Sequence, residues 1–479
     1  MTAPDMPDAG LPPPTEPLIP HRSTAQWQAA DSAHFMHPFT NHAQLQRKGS
    51  RVIERGDGIY LYDTEGRRML DAMSGLWCVN VGYGRRELAD AASQQMLQLA
   101  FYNAFFETTT QPAVALAEQL AALSPPQFQH VFFTNSGSEA NDTVVRMARR
   151  YWELQGEPQR KVIISRTGAY HGSTIASASL GGMGEMHGQS GIPIPDVDHI
   201  QHPYAFDNKP AGMSDEDFGL LAAGWLDEAI ELLGAHRVAA FIGEPVQGAG
   251  GVIVPPATYW PEVQRICERH GVLLVCDEVI CGFGRTGHWF GCEHMGVQPD
   301  LIAFAKGVTS GYAPLGGVLV GERVARMLIG RGQGFSHGFT YSGHPVACAV
   351  ALANLRVMQQ ERLVQHVHDD LSPLLAREFQ ALSHGPGKHP LVGAADTCGM
   401  MGALHLLRDD GTAFPKTHAV GARCRDHSFA GGVVMRTVGD RMVIAPPLVM
   451  TTGQMGEMMG LIRGALDRTW EELRLDGLA

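Results

Sequence analysis

Lysine is scarce in this chain, and basic runs are missing altogether. Of 37 basic side chains only six are lysines, against 49 acidic side chains, for a net charge of −12. That balance excludes the electrostatic footprint of a nucleic-acid binder. None of the eight cysteines forms a C-x-x-C pair, and their spacing is irregular. The stretch "CDEVIC" (276–281) is too apolar around its ends for a metal knuckle, so no metal site is read. Scattered cysteines in a long chain predict reduced thiols in a cytoplasmic protein. No apolar run approaches ~18 residues, so no membrane span is expected. The N-terminus lacks a basic start followed by an apolar stretch and is not read as a signal peptide. What remains is the composition of a globular chain, 44% apolar and 18% charged over 479 residues. It is long enough for two or more domains.

The scarcity of lysine gives one of them weight. Lys48, Lys161, Lys209, Lys388 and Lys416 stand in polar or turn-like sequence. Lys306 alone follows an apolar strand-like run, in "LIAFAKGVTSGYAPLGG" (301–317). A lysine can lose its proton and attack a carbonyl, whereas arginine stays protonated. The plainer reading is a strand-end lysine with its head in water.

The first twenty residues hold seven prolines and read as an arm without regular helix. Residues 58–72 read as a hairpin turning at Asp63–Gly66. Beyond them, short apolar runs alternate with helical sequence. The runs are "HVFFTN" (130–135), "KVIIS" (161–165), "VAAFIGEP" (238–245), "VLLVCDEV" (272–279), "LIAFA" (301–305) and "GGVLVG" (316–321). This pattern predicts an α/β fold with a mainly parallel sheet covered on both faces. The expected division is an arm over 1–34, the N-terminal part of a small domain over 35–76, a large domain over 77–343, and a C-terminal α+β small domain over 344–479.

In open α/β sheets ligands sit beyond the carboxyl ends of the strands. Ser136–Gly137–Ser138 opens a helix directly after a strand and suits a phosphate, although alone it reads equally as a capping box with Glu139. Asp277 ends an apolar strand, where a carboxylate needs a partner. Tyr170 and His171 follow another strand; an aromatic there suits stacking on a flat ring or plain packing. Glu244 and Gln247 stand at a fourth strand end, and Arg436 follows three apolar positions. A phosphate cradle, a stacking aromatic, a strand-end carboxylate and a lone apolar lysine complement one ligand, pyridoxal 5'-phosphate. Asp277 would keep its ring nitrogen protonated, and Lys306 would form the Schiff base.

The motifs "TNSGSEAND", "GAYHGST", "GEPVQGAGG", "LLVCDEVICGFGRTG", "PDLIAFAKGVTSGYAPLGG" and "HGFTYSGHPVACA" resemble the class III (ω-amino acid type) pyridoxal-phosphate aminotransferases of fold type I. The resemblance runs from about residue 35 to 470. It implies Lys306 as the catalytic lysine, Asp277 as the ring-nitrogen partner, and Ser136, Gly137 and Ser138 at the phosphate. It also implies Tyr170 and Val279 on the two ring faces, His171 and Glu244 beside the cofactor, and Thr340 reaching the neighbouring subunit's phosphate. The expected assembly is a homodimer with shared sites, alone or paired into a dimer of dimers.

Two departures narrow the substrate. Ile280 stands where ornithine- and GABA-type members carry Gln, and Val443 where they carry a carboxylate-binding Arg. "SGLWCVNVGYG", "AFFETTTQP" and "MRTVGD" resemble the amine:pyruvate branch instead. There Arg436 would swing in to bind the carboxylate of pyruvate and out for an amine, with Trp77 and Phe106 walling the donor pocket. The activity implied is transfer of an amino group from an amine, diamine or ω-amino acid to pyruvate. β-Alanine:pyruvate transfer, another pyridoxal-phosphate enzyme such as an aminomutase, and a non-catalytic binding protein are the alternatives.

Overall fold

The computed structural model describes residues 18–189, 191–331 and 334–478. Residues 1–17 of the expected arm over 1–34 thus lie outside the described residues, and its end, Thr24–His34, is helical. Among the described residues two compact units are distinguished, residues 18–56 with 61–68, and residues 57–60 with 69–478. The first carries helices Thr24–His34 and His42–Lys48, capped by Ser23 and Asn41. Its Asp63–Gly66 turn forms as expected. The Asp63 carbonyl accepts the Gly66 N–H at 2.9 Å, and Asp63 Oδ1 accepts the Arg67 N–H at 2.9 Å.

The second unit is built on seven strands: β1 Phe128–Thr134, β2 Val162–Arg166, β3 Val197–Ile200, β4 Val238–Gly243, β5 Leu273–Asp277, β6 Leu301–Phe304 and β7 Gly316–Gly321. Their order is β1-β7-β6-β5-β4-β2-β3. Pairing is parallel except at β7, which runs antiparallel to both neighbours.

Both faces of the sheet are buried, which explains the continuous apolar runs. Along β5, Leu274 and Cys276 join one core, and Leu273 and Val275 join the other. Helix α1 (Gly137–Gln155) covers the second face with Val144, Met147, Ala148 and Trp152. Helices α2 (Asp215–Leu233) and α3 (Tyr259–His270) cover the first with Phe218, Leu226, Val263 and Ile266. Each of the Val, Leu, Ile, Phe and Met side chains among them contributes roughly 1.5–3 kcal/mol by leaving water.

A second sheet, in order β8-β9-β11-β10, follows from β8 Val392–Cys398, β9 Met401–Leu406, β10 Arg436–Val438 and β11 Arg441–Ile444. A 24-residue helix, Thr452–Leu475, ends the fold. All eight cysteines are free. Among the described residues no helix is long and apolar enough to cross a membrane.

Candidate active site

Parallel strands bring residues distant in sequence to one sheet edge. Ser136 follows β1, Tyr170 follows β2, Glu244 follows β4, Asp277 ends β5 and Lys306 follows β6. All of them line one cavity of about 350 Å³, together with Gly137, Ser138, His171 and Val279.

Ser136 caps α1, its hydroxyl accepting the Glu139 N–H at 3.2 Å. The Glu139 carboxylate reaches back to the N–H and side-chain amide of Asn135, both at 2.8 Å. The cap and the anion cradle are therefore compatible: the first N–H groups of α1 have no intrahelical partner and form the positive end of its dipole. Ser138 Oγ accepts the Ser173 N–H at 3.0 Å and keeps its own proton to donate. Gly137 packs directly beneath Val279, and a Cβ on it would come within 2.9 Å of a Val279 methyl.

Asp277 has its partners within the chain. Its Oδ2 accepts from Asn141 Nδ2 at 2.7 Å and from His171 Nδ1 at 2.7 Å, and its Oδ1 accepts the Val279 N–H at 3.0 Å. His171 Nε2 lies 3.1 Å from Ser165 Oγ. A carboxylate offers about four acceptor positions, so one stays open on a group that lines the cavity. Asn141 stands one turn into α1 inside the motif "TNSGSEAND". Only the proximity of α1 to the β5 end reveals its role; the sequence signal is its i+4 spacing from Gly137.

Glu244 is buried, and its two oxygens accept the N–H groups of Tyr170 at 3.2 Å and Gly248 at 2.9 Å. Burial pushes its pKa up, with neighbouring His171 opposing. It holds the Tyr170 loop against the sheet edge. Gln247 turns away and donates to the Thr167 carbonyl at 3.1 Å.

Lys306 sits in the left-handed backbone region, with φ 49°. Such strain in a non-glycine residue persists only where the surroundings over-determine it. Among the described residues its Nζ has neither a hydrogen bond nor an ion pair. Burial pulls its pKa below the ordinary lysine value. Cys78, Asp277 and Glu244 oppose that shift, and Arg436 adds to it.

Arg436, on β10, is half-buried and makes no hydrogen bond or ion pair among the described residues. Burial holds its pKa below the usual arginine range. Arg441 is in contrast engaged, with Nη2 2.9 Å from Asp207. Trp77 is buried in a cluster with Val443 and Ile280; Ile280 lines the cavity, whereas Trp77 and Arg436 are not among its lining residues. The structure does not bring Phe106 or Thr340 to the cavity of their own chain. Phe106 is 90% exposed and Thr340 is exposed. Cys78, Thr309 and Leu315 line the cavity without having been singled out in the sequence.

The cradle, the open acceptor position of Asp277 and the unpartnered Lys306 fit a ligand with a phosphate, a protonatable ring and a carbonyl. Comparison with known proteins agrees. A family model for class-III aminotransferases matches residues 42–466. A putrescine–pyruvate aminotransferase of Pseudomonas aeruginosa is 50% identical over 452 residues, covering 94% of this chain and 98% of that protein. The (S)-enantioselective omega-transaminase of Thermomicrobium roseum superposes with a TM-score of 0.90 at 42% identity, over 94% of this chain and 100% of that one. The omega-transaminase of Pseudomonas jessenii in complex with PMP gives 0.89 at 39% identity, over 93% and 98%.

Proposed function

The chain belongs to the class III aminotransferases, a pyridoxal-phosphate-dependent family, and on that premise we propose that it moves the amino group of an amine, diamine or ω-amino acid to pyruvate, releasing alanine and an aldehyde or ketone. The observation that carries this reading is Lys306, without a partner among the described residues, in a cavity beside the Asp277–His171 pair.

Ser136, Gly137 and Ser138 would hold the cofactor phosphate at the start of α1, with Tyr170 and Val279 against the ring. When bound, pyridoxal phosphate supplies the carbonyl that takes the amine and the ring that draws electrons from the reacting carbon. The residues of the chain do the rest. Asp277, oriented by Asn141 and His171, would hold a proton on the ring nitrogen. Glu244 fixes the loop bearing Tyr170. Lys306 Nζ, its pKa lowered by burial, takes a proton from the amine-bearing carbon of the donor and gives one back in the reverse half-reaction.

Pyruvate and a plain amine must occupy one site in turn. Arg436 suits the carboxylate, because a guanidinium binds it through two parallel hydrogen bonds. That Arg436 has no partner among the described residues supports this role. The buried Val443 leaves no arginine at the position used by ornithine- and GABA-type relatives. The 50% identity to a putrescine–pyruvate aminotransferase favours a diamine as donor.

The working unit is a homodimer with shared sites. Support comes from the large apolar side chains left in solvent, with Leu97 at 87% and Phe106 at 90% exposure, and from the exposure of Thr340. The free thiols agree with a cytoplasmic setting. A panel of amines and diamines with pyruvate, read as alanine formed, tests the reading. No alanine from any donor would overturn it.

A further inference from the structure

Arg436 is carried by a short hairpin whose other strand is gripped by a second arginine. β10 and β11 pair antiparallel, with Arg436 opposite Val443 and Val438 opposite Arg441. The turn is tied down: Thr437 Oγ1 donates to the Gly439 carbonyl at 2.5 Å, and Asp440 Oδ1 accepts the Gly421 N–H at 2.8 Å. Since β10 is a three-residue edge strand, its ladder alone pins it weakly. The position of Arg436 therefore depends on what holds β11.

Arg441 provides that hold. Its guanidinium donates to Asp207 at 2.9 Å and lies over the Tyr204 ring at 4.6 Å. Tyr204 is itself fixed, its hydroxyl donating to Asp396 at 2.6 Å. His405, the cross-strand neighbour of Arg441, stands 2.9 Å from the same carboxylate. On the other side the guanidinium presses on Gly251, where a Cβ would come within 3.0 Å of Nη1. The segments holding Arg441 also hold the loop of Tyr170. The His202 N–H donates to Thr167 Oγ1 at 3.2 Å, and Gln247 donates to the Thr167 carbonyl at 3.1 Å.

We propose that Arg441, clamped between Asp207 and Tyr204, is a positioning residue for Arg436, setting the affinity for the acceptor carboxylate without touching either substrate. The inference rests on the reading of Arg436 as the carboxylate site. It predicts a loss confined to one half-reaction, because an amine without a carboxylate makes no use of the Arg436 guanidinium.

The test compares Arg441→Met, Arg441→Lys, Asp207→Asn and the Asp207→Asn/Arg441→Met double variant with the parent holoenzyme. KM for pyruvate should rise roughly threefold to fivefold in Arg441→Met and Asp207→Asn. The rate of the amine half-reaction should hold. Arg441→Lys should recover most of the loss, and the double variant should be no worse than either single one. Added salt should raise the KM for pyruvate by a larger factor in the parent than in Arg441→Met, because the Arg441–Asp207 pair is partly exposed. Equal losses in both half-reactions, or a lowered Tm with unchanged KM, would assign Arg441 to the fold alone. If Arg441→Met does not fold, Asp207→Asn, which removes only the charge partner, gives the same reading. Arg436→Ala separates the two ideas. If it leaves the KM for pyruvate unchanged, the carboxylate reading falls. If it raises KM while Arg441→Met does not, only the positioning role falls.

Discussion

The carboxylate of Asp277 and the imidazole of His171 meet at 2.7 Å with almost no solvent on either side chain, the imidazole at 0% and the carboxylate at 3%. Two residues 106 apart in sequence thus form the buried floor of the cavity. Asp277→Asn keeps the shape of this floor but not its charge. The overall transamination rate should fall by about 10²–10³-fold, as for loss of other fixed electrostatic contacts to reacting groups, with cofactor still bound. Stopped-flow half-reactions check this. Near-normal turnover would reduce Asp277 to a structural partner of His171.

Arg436→Ala removes a charge-assisted, two-pronged contact worth about 1.5–3 kcal/mol. That corresponds to roughly tenfold to a hundredfold in specificity for pyruvate and alanine. The half-reaction with a carboxylate-free amine should change far less. Single-turnover kinetics with each partner measures both. Equal losses for amine and alanine would place the carboxylate site elsewhere; Arg441 is already held by Asp207.

Lys306 gives a pH signature in the cofactor-free protein. Its pKa is lowered in the folded chain by burial, so between that value and the ordinary 10.5 the unfolded chain binds more protons. Stability must therefore rise with pH across that window, and the cost of holding the ammonium is fully present below it. Lys306→Met should flatten this alkaline rise in a urea-melt series against pH. An unchanged slope would mean that Lys306 titrates as if in water.

The exposed Phe106 and Leu97 should be covered by a second chain. Phe106→Glu should shift sedimentation velocity toward monomer and lower activity in parallel. Thr340→Ala should weaken cofactor retention. A Phe106→Glu monomer with full activity would rule out a shared site.

Much of this was legible because apolar runs broken by one polar residue are informative. The six runs read as strands all form strands, and Asp277 and Lys306 stood out as charges at their ends. Strand Val197–Ile200 carries no such signal: on the sheet edge its polar Asp198 and His199 stand together between Val197 and Ile200, in a stretch of four residues with neither an apolar run nor an alternation. Strand Ile53–Asp57 is equally silent in the sequence, as "IERGD" is mostly polar and exposed. The Asp277–His171 bond and the role of Asn141 are properties of packing between α1, β2 and β5. No local pattern encodes them. The roles of Phe106 and Thr340 rest on family likeness, and a single chain leaves both in solvent.

The central claim is that Lys306 is the residue that engages the cofactor carbonyl. Loading the protein with pyridoxal phosphate, reducing with labelled borohydride and mapping the labelled peptide tests it directly. The label should reside on Lys306, within 301–317, and Lys306→Ala should take up none and show no turnover. Label on Lys48, Lys161 or any other lysine would contradict the account.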